Sequence, residues 1–100
     1  MNTTQIKTNS LQQAIIIKNK LGLHARAAAA FVKIAHEFQS KIHLKKNTNP
    51  GWVDGKSILS VMTLEASSGS QIIISAQGPD AKQALNKLIQ LINNKFGEKE

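Results

Sequence analysis

The stretch GPDAKQALNKLIQLINNKFG, residues 78–97, carries the strongest secondary-structure signal in this chain of 100 residues. Its apolar residues recur at intervals of three and four, a spacing that places them on one face of an α-helix. They are Ala81, Ala84, Leu85, Leu88, Ile89, Ile92 and Phe96. Asp80 and Gln83 predict a capping box at the start of the helix, and Gly97 predicts its end. Such a helix needs an apolar surface to cover.

Four segments predict that this surface is a β-sheet. Residues 11–18, LQQAIIIK, and residues 71–76, QIIISA, are rich in the β-branched side chains that favour strands. Residues 40–46 alternate between apolar and polar side chains, as a half-buried strand does. Residues 52–54 predict a short strand at the edge of the sheet.

Two more helices are predicted between the strands. Residues 25–38 have an apolar face formed by Ala28, Phe31, Val32, Ala35 and Phe38. Residues 57–64 predict a short helix that Ser57 caps. The order β-α-β-β-α-β-α predicts an α+β fold, in which a four-stranded antiparallel sheet carries all three helices on one face.

Composition restricts the classes of protein that this chain can represent. Hydrophobic residues make up 41% of it, which favours a folded domain, expected over residues 11–97 after a flexible extension over residues 1–10. Without cysteine, neither disulfides nor zinc–thiolate sites are available. No apolar run suggests a signal peptide or a membrane span, so we expect a cytoplasmic protein. The net charge of +7 is compatible with an acidic partner.

The stretch GLHARAAAAFVKIA, residues 22–35, concentrates polar chemistry at the start of a helix. His24 is predicted beside unpaired backbone N–H groups and the positive end of the helix dipole. This environment favours a neutral, nucleophilic imidazole and also attracts anions. Arg26 lies within the first turn and can bind phosphate oxygens. The motif is compatible with a phosphoryl group carried on the imidazole, but its spacing alone is more typical of a capped surface pair.

Two further features predict a surface for protein partners. Ala27 and Ala29 are small enough to let a partner approach the imidazole closely, whereas Ala28 is expected to pack against the sheet. The helix over residues 57–64 has apolar residues on more than one face, and these predict an exposed apolar patch. The patch consists of Ile58, Leu59 and Met62.

Residues 22–35 and 55–85 resemble the histidine phosphocarrier family, HPr and its nitrogen-branch relative NPr, of the bacterial phosphotransferase system. The resemblance extends over about residues 11–96 and implies an open-faced β-sandwich. It implies that His24 accepts a phosphoryl group on Nδ1 from the phosphoenolpyruvate-dependent first enzyme and passes it to an EIIA-type protein. Arg26 matches the active-site arginine of the family. The carrier would then serve sugar uptake or nitrogen-branch regulation.

The same resemblance implies further properties. The chain would be a modified protein substrate without a cofactor, and not a turnover enzyme. Ser57 matches a serine that a dedicated kinase/phosphorylase modifies in some bacteria, although helix capping also accounts for it. Ile58, Leu59 and Met62 match the docking patch, to which we add Ala29. A monomer is expected, because the carrier must dock into successive active sites.

The chain departs from the family pattern in three places, and the first is the run of about ten extra polar residues before the first strand. Ala27 stands where proline usually follows the arginine. Glu65 stands where sugar-branch carriers often have glycine and nitrogen-branch carriers often have an acid.

The alternative is a small basic nucleic-acid-binding module with the same order of elements. Recognition of RNA on a sheet needs aromatic residues on its open face, and three of the four aromatics here are predicted on helices. The three histidines have no metal-ligand spacing, so no metal site is predicted. We therefore expect neither nucleic acid nor a membrane as partner.

Overall fold

The computed structural model describes residues 10–100, in which a four-stranded antiparallel sheet packs against three helices. The strands are β1 (Ser10–Ile16), β2 (Lys41–Lys46), β3 (Val53–Asp54) and β4 (Gln71–Gln77). The helices are α1 (Ala25–Ala35), α2 (Ile58–Met62) and α3 (Ala81–Asn93), and a 3₁₀ turn, Lys95–Gly97, follows α3. The sheet order is β1-β4-β2-β3. The predicted fold class and order of elements are confirmed.

The sheet is organised around β4, which pairs with β1 on one side and with β2 on the other. Ile72 lies opposite Ile15 of β1, and Ile74 lies opposite Leu44 of β2. Because side chains alternate along a strand, these residues share the face that the helices cover. The largest fully buried apolar side chains are Phe31, Ile17, Ile42, Leu44, Ile72, Ile74, Leu88, Ile92 and Val61. The inward-facing residues of the predicted strands therefore form the core.

Three predicted helix ends are wrong. Helix α2 ends at Met62 instead of residue 64. Helix α1 ends at Ala35 instead of residue 38, and Phe38 is only partly buried against the core. Helix α3 ends at Asn93, because Lys95 and Phe96 adopt left-handed backbone conformations with φ of 57° and 55°. Gly97 therefore ends a separate turn instead of α3. This turn directs residues 98–100 back toward the start of α1, where Glu98 and Glu100 form hydrogen bonds.

The predicted capping box of α3 is also wrong. Asp80 is the N-cap residue, but its carboxylate makes no capping bond. It accepts hydrogen bonds from the Gln39 N–H, the Ser40 N–H and the Ser40 hydroxyl, at 2.9, 2.9 and 2.5 Å. The Ser40 hydroxyl is the main cause of the lowered pKa of Asp80. A lowered pKa in the folded state means that this carboxylate stabilises the fold above its ordinary pKa and loses that effect as the pH falls.

Two expectations from the sequence concern the N-terminal extension and membrane-spanning segments. The predicted flexible extension over residues 1–10 falls almost entirely outside the described residues, and Ser10 itself begins β1. Within residues 10–100, no helix is long and apolar enough to cross a membrane.

Candidate functional site

The candidate site lies at the start of α1, where a tight turn positions His24. Gly22 has φ of 70°, and a Cβ atom there would lie 2.5 Å from the Ala66 carbonyl oxygen. The same oxygen accepts a hydrogen bond of 2.9 Å from the Leu23 N–H. The next residue, His24, is the N-cap of α1 and has extended backbone angles. The close contact between the turn and Ala66 thus determines where the imidazole stands.

The Nδ1 atom of His24 points to the first turn of α1. It accepts a hydrogen bond of 3.3 Å from the Arg26 N–H. Because a backbone N–H can only donate, Nδ1 must present its lone pair. The first intrahelical bond runs from the Ala28 N–H to the His24 carbonyl oxygen, at 2.8 Å. The earlier N–H groups of α1 are those that no intrahelical acceptor can reach.

The Nε2 atom of His24 contacts a carboxylate from residues 95–100, which together form the C-terminal turn. It lies 2.7 Å from Oε2 of Glu98, whose side chain is only 14% exposed. Asn19 donates a hydrogen bond of 2.9 Å to the other oxygen of Glu98. The Asn19 bond is the largest cause of a lowered pKa of Glu98, and His24 and Arg26 lower the pKa further. The ionised carboxylate can only accept, so Nε2 bears the proton.

Arg26 lies beside His24, as predicted, and contacts the same carboxylate. Its Nη1 atom is 3.2 Å from Oε2 of Glu98 and donates a hydrogen bond of 3.1 Å to the Phe96 carbonyl oxygen. The side chain is still 61% exposed. The guanidinium is therefore docked on the C-terminal turn while remaining open to solvent. His24, Arg26, Glu98 and residues 20–21 and 99–100 line a surface depression of about 470 Å³.

Sequence reasoning missed Glu98 and Asn19. Glu98 is 74 positions from His24, and only the glycine at residue 97 hinted that the chain turns there. Asn19 falls within a segment rich in turn-forming residues, but nothing local showed that it would be fully buried. Its amide also donates a hydrogen bond of 2.9 Å to the Gly22 carbonyl oxygen. Asn19 therefore connects the turn before α1 to the carboxylate beside the imidazole.

The predicted docking residues lie on α1 and α2, and Met62 among them lies beside His24. Leu59 and Ile58 are 77% and 41% exposed, and Ala29 is exposed on α1. Met62 is half-buried and lines a depression of about 380 Å³ that also includes His24.

Ala27 and Leu21 change the extent of the predicted docking surface. Ala27 is fully buried in the core, so its expected role in partner approach is wrong. Leu21, which sequence reasoning missed, is 68% exposed and lines the same depression as Met62. The apolar surface therefore continues from α2 past His24 to the turn before α1.

Ser57 is the N-cap of α2, as predicted. Its hydroxyl oxygen accepts a hydrogen bond of 3.2 Å from the Ser60 N–H. The residue is partly exposed and directly precedes Ile58. After α2, Glu65 has φ of 50°, a left-handed conformation that glycine adopts without strain. Glu65 also lines the depression beside His24.

Comparisons with known proteins all identify one family. The family profile described as "PTS HPr component phosphorylation site" matches residues 11–94. The chain is 46% identical over 86 residues to the phosphocarrier protein HPr of Pseudomonas aeruginosa, covering 86% of this chain and 94% of that one. It is 44% identical over 90 residues to the HPr of Cupriavidus necator, covering 90% and 99%. The crystal structure of HPr-C-His from Thermoanaerobacter tengcongensis matches with a TM-score of 0.83 at 43% identity, covering 90% and 99%.

Proposed function

The chain belongs to the HPr family of phosphocarrier proteins, and from this premise we propose that Nδ1 of His24 is the atom that carries the phosphoryl group. As an HPr phosphocarrier of the phosphotransferase system, the protein transfers phosphoryl groups from Enzyme I to EIIA. It is a histidine-phosphorylated relay protein and not a classical enzyme. This function replaces the alternative of a nucleic-acid-binding module.

The lone pair on Nδ1 is the observation that supports this assignment. Nδ1 faces the N-terminus of α1, where backbone N–H groups and the helix dipole favour negative charge. On attack, the Nδ1 lone pair forms the new N–P bond, while the bond between phosphorus and the donor breaks and its electron pair stays with the donor. The Arg26 N–H, which now donates to Nδ1, then becomes available to a phosphoryl oxygen.

We assign to Arg26 the binding of phosphoryl oxygens. Its guanidinium lies on the same carboxylate as the imidazole and keeps most of its side chain in solvent. A long, exposed side chain can exchange this contact for a phosphoryl group, which it binds through two parallel hydrogen bonds. Arg26 would thus neutralise charge on the group being transferred.

Incubation with phosphoenolpyruvate and a preparation of Enzyme I tests the assignment. We expect the intact mass to increase by a single phosphoryl group, which is lost in acid and stable in base, as a phosphoramidate is. Peptide mapping under basic conditions should place the group on His24. Modification at His36 or His43, or an acid-stable product, would contradict the assignment.

We propose that Ala29, Ile58, Leu59 and Met62 form the docking patch for both partners. Ile58 and Leu59 are large apolar side chains exposed to solvent on α2, the helix that also carries Met62, and such exposed patches usually mark interaction sites. A partner that covers His24 also covers the depression that Met62 lines. The patch therefore lies within the area that phosphoryl transfer requires a partner to bury.

Ile58→Glu is expected to weaken partner binding by about 1–3 kcal/mol, as loss of a central interface residue does. The free energy of unfolding should change little, because Ile58 is exposed in the first turn of a helix, where a carboxylate is favourable. The KM for transfer from Enzyme I reports the effect. Ile16→Glu is the matched control, since Ile16 is also 41% exposed but lies on β1. Equal KM values for the two variants would count against the patch.

We also propose that phosphorylation of Ser57 by a serine kinase can regulate docking. A phosphate there would place negative charge immediately before Ile58. Burying that charge in the interface would carry a desolvation cost and so weaken docking.

Ser57→Asp tests this regulatory role. The variant should fold, because aspartate is also a good N-cap residue, yet it should transfer phosphate several-fold more slowly than the wild type. Ser57→Asn, which caps without charge, is the control. Steady-state transfer rates that are equal in all three proteins would leave Ser57 with capping alone.

A monomeric, cytoplasmic carrier fits this relay best. The docking surface includes the depression that His24 and Met62 line, so a partner must cover it each time the phosphoryl group is transferred. Sedimentation of the purified protein at assay concentration should give the mass of a single chain.

A further inference from the structure

We propose that Glu98 is a positioning residue for phosphoryl transfer, because it keeps the proton of His24 on Nε2 and stabilises the positive charge that the ring acquires. The proposal rests on the proposed function of His24. Glu98 belongs to the C-terminal turn and not to the helix-start motif. Its role follows from the contacts of one carboxylate with three side chains.

The carboxylate is held firmly where it contacts the imidazole. Oε1 accepts the Asn19 amide at 2.9 Å, while Oε2 lies 2.7 Å from Nε2 and 3.2 Å from the Arg26 guanidinium. Asn19 is fully buried and also donates to the Gly22 carbonyl oxygen, so the first of these contacts comes from a side chain that is itself held in place. The Glu98 side chain is 14% exposed, which shields these bonds from water.

This contact determines which nitrogen is nucleophilic. A neutral imidazole has one protonated nitrogen and one nitrogen with a free lone pair. The carboxylate accepts only, so it selects the form with the proton on Nε2. The Arg26 N–H at 3.3 Å from Nδ1 selects the same form, but that bond is long and weak. Glu98 therefore contributes most to keeping the Nδ1 lone pair available.

The same contact matters during transfer. When neutral Nδ1 forms the N–P bond, the ring retains the Nε2 proton and becomes positively charged. A carboxylate 2.7 Å away stabilises that charge, as the aspartate of a catalytic triad stabilises the imidazolium beside it. When the phosphoryl group leaves for the acceptor, the N–P electrons return to Nδ1 and the ring is neutral again.

The backbone conformation of residues 95–97 places the Glu98 carboxylate beside Nε2 of His24. Lys95, Phe96 and Gly97 all have positive φ, and the Phe96 side chain is buried. Beyond Glu98, the Glu100 carbonyl oxygen accepts a hydrogen bond from the Lys20 N–H. Glu98 is thus anchored from both sides along the chain, which leaves its carboxylate little freedom to move away from Nε2.

Glu98→Gln distinguishes this role from a purely structural one, in which Glu98 only holds the C-terminal turn against the start of α1. The amide keeps the shape of the side chain, removes its charge, and can donate to Nε2, which would shift the proton to Nδ1. In the unphosphorylated protein, ¹⁵N NMR of His24 at a pH where the ring is neutral should show the proton on Nε2 in the wild type. A large fraction should have it on Nδ1 in the variant. The rate of transfer from Enzyme I should fall about 10-fold or more.

Glu100→Gln is the matched control, because Glu100 lies on the same turn and, among residues 10–100, its carboxylate pairs with the exposed Lys20 ammonium alone, at 3.6 Å. It should leave both the proton position and the rate unchanged. The proposal is overturned if Glu98→Gln has the same ¹⁵N spectrum and rate as Glu100→Gln. The NMR measurement needs no Enzyme I, so failure of the wild type to accept phosphate would contradict the proposed function of His24 and leave the proton-positioning result to be judged separately.

Discussion

His24→Ala is expected to abolish phosphorylation by phosphoenolpyruvate and Enzyme I, because no other side chain at the start of α1 presents a nucleophilic lone pair. Loss of the N-cap would also cost about 1 kcal/mol of stability, so His24→Asn, which caps without a reactive nitrogen, is the better-folded companion variant. Both should show no gain of mass. His43→Ala is the control, since His43 lies on β2 within the sheet.

Retention of the phosphoryl mass in both His24 variants would show that a different residue is modified. Loss of modification in His43→Ala as well would indicate that recognition by Enzyme I, and not the acceptor atom, had been disturbed.

Gly22→Ala is expected to destabilise the protein by about 2–4 kcal/mol, the largest stability effect among these variants. The left-handed backbone alone would cost about 1–2 kcal/mol for a residue with Cβ. The new Cβ would also lie 2.5 Å from the Ala66 carbonyl oxygen and 2.9 Å from Cα of Ser67, both backbone atoms. The turn would have to move away from Ala66, which would displace His24. Urea denaturation measures the loss of stability.

Gly69→Ala measures the backbone cost without the steric contact, so the difference between the two variants gives the steric part. Gly69 also has positive φ, 89°, but a Cβ there would meet no heavy atom within 4 Å. It should cost only about 1–2 kcal/mol and leave phosphorylation unchanged. If the two variants were equally stable, the contact between the turn and Ala66 would not be what positions His24.

Local signals in the sequence predicted most of the fold and the centre of the site. The alternation at Ile42 and Leu44 placed both in the core, because burial of one sheet face depends only on a repeat of two. His24 and Ser57 were predicted at helix starts, and each is an N-cap whose side chain accepts a backbone N–H. These features depend on residues close together in the chain.

The errors and omissions involve partners distant in the chain. Asp80 has the local pattern of a capping box, but the two N–H groups and the hydroxyl at Gln39 and Ser40 compete successfully for its carboxylate. Periodicity placed Phe96 in the apolar stripe, and Phe96 is buried, but periodicity does not reveal the left-handed conformations of Lys95 and Phe96 that end α3 and set the path of residues 95–98. Glu98 could be connected to His24 only once that path was known.

The nitrogen that carries the phosphoryl group is the most direct test of the account. ³¹P and ¹⁵N NMR of the uniformly ¹⁵N-labelled, phosphorylated wild type would locate the bond through the coupling between phosphorus and the ring nitrogen. The structure predicts a single phosphorus bonded to Nδ1 of His24. A phosphorus bonded to Nε2 of His24, the nitrogen that contacts Glu98, would contradict it.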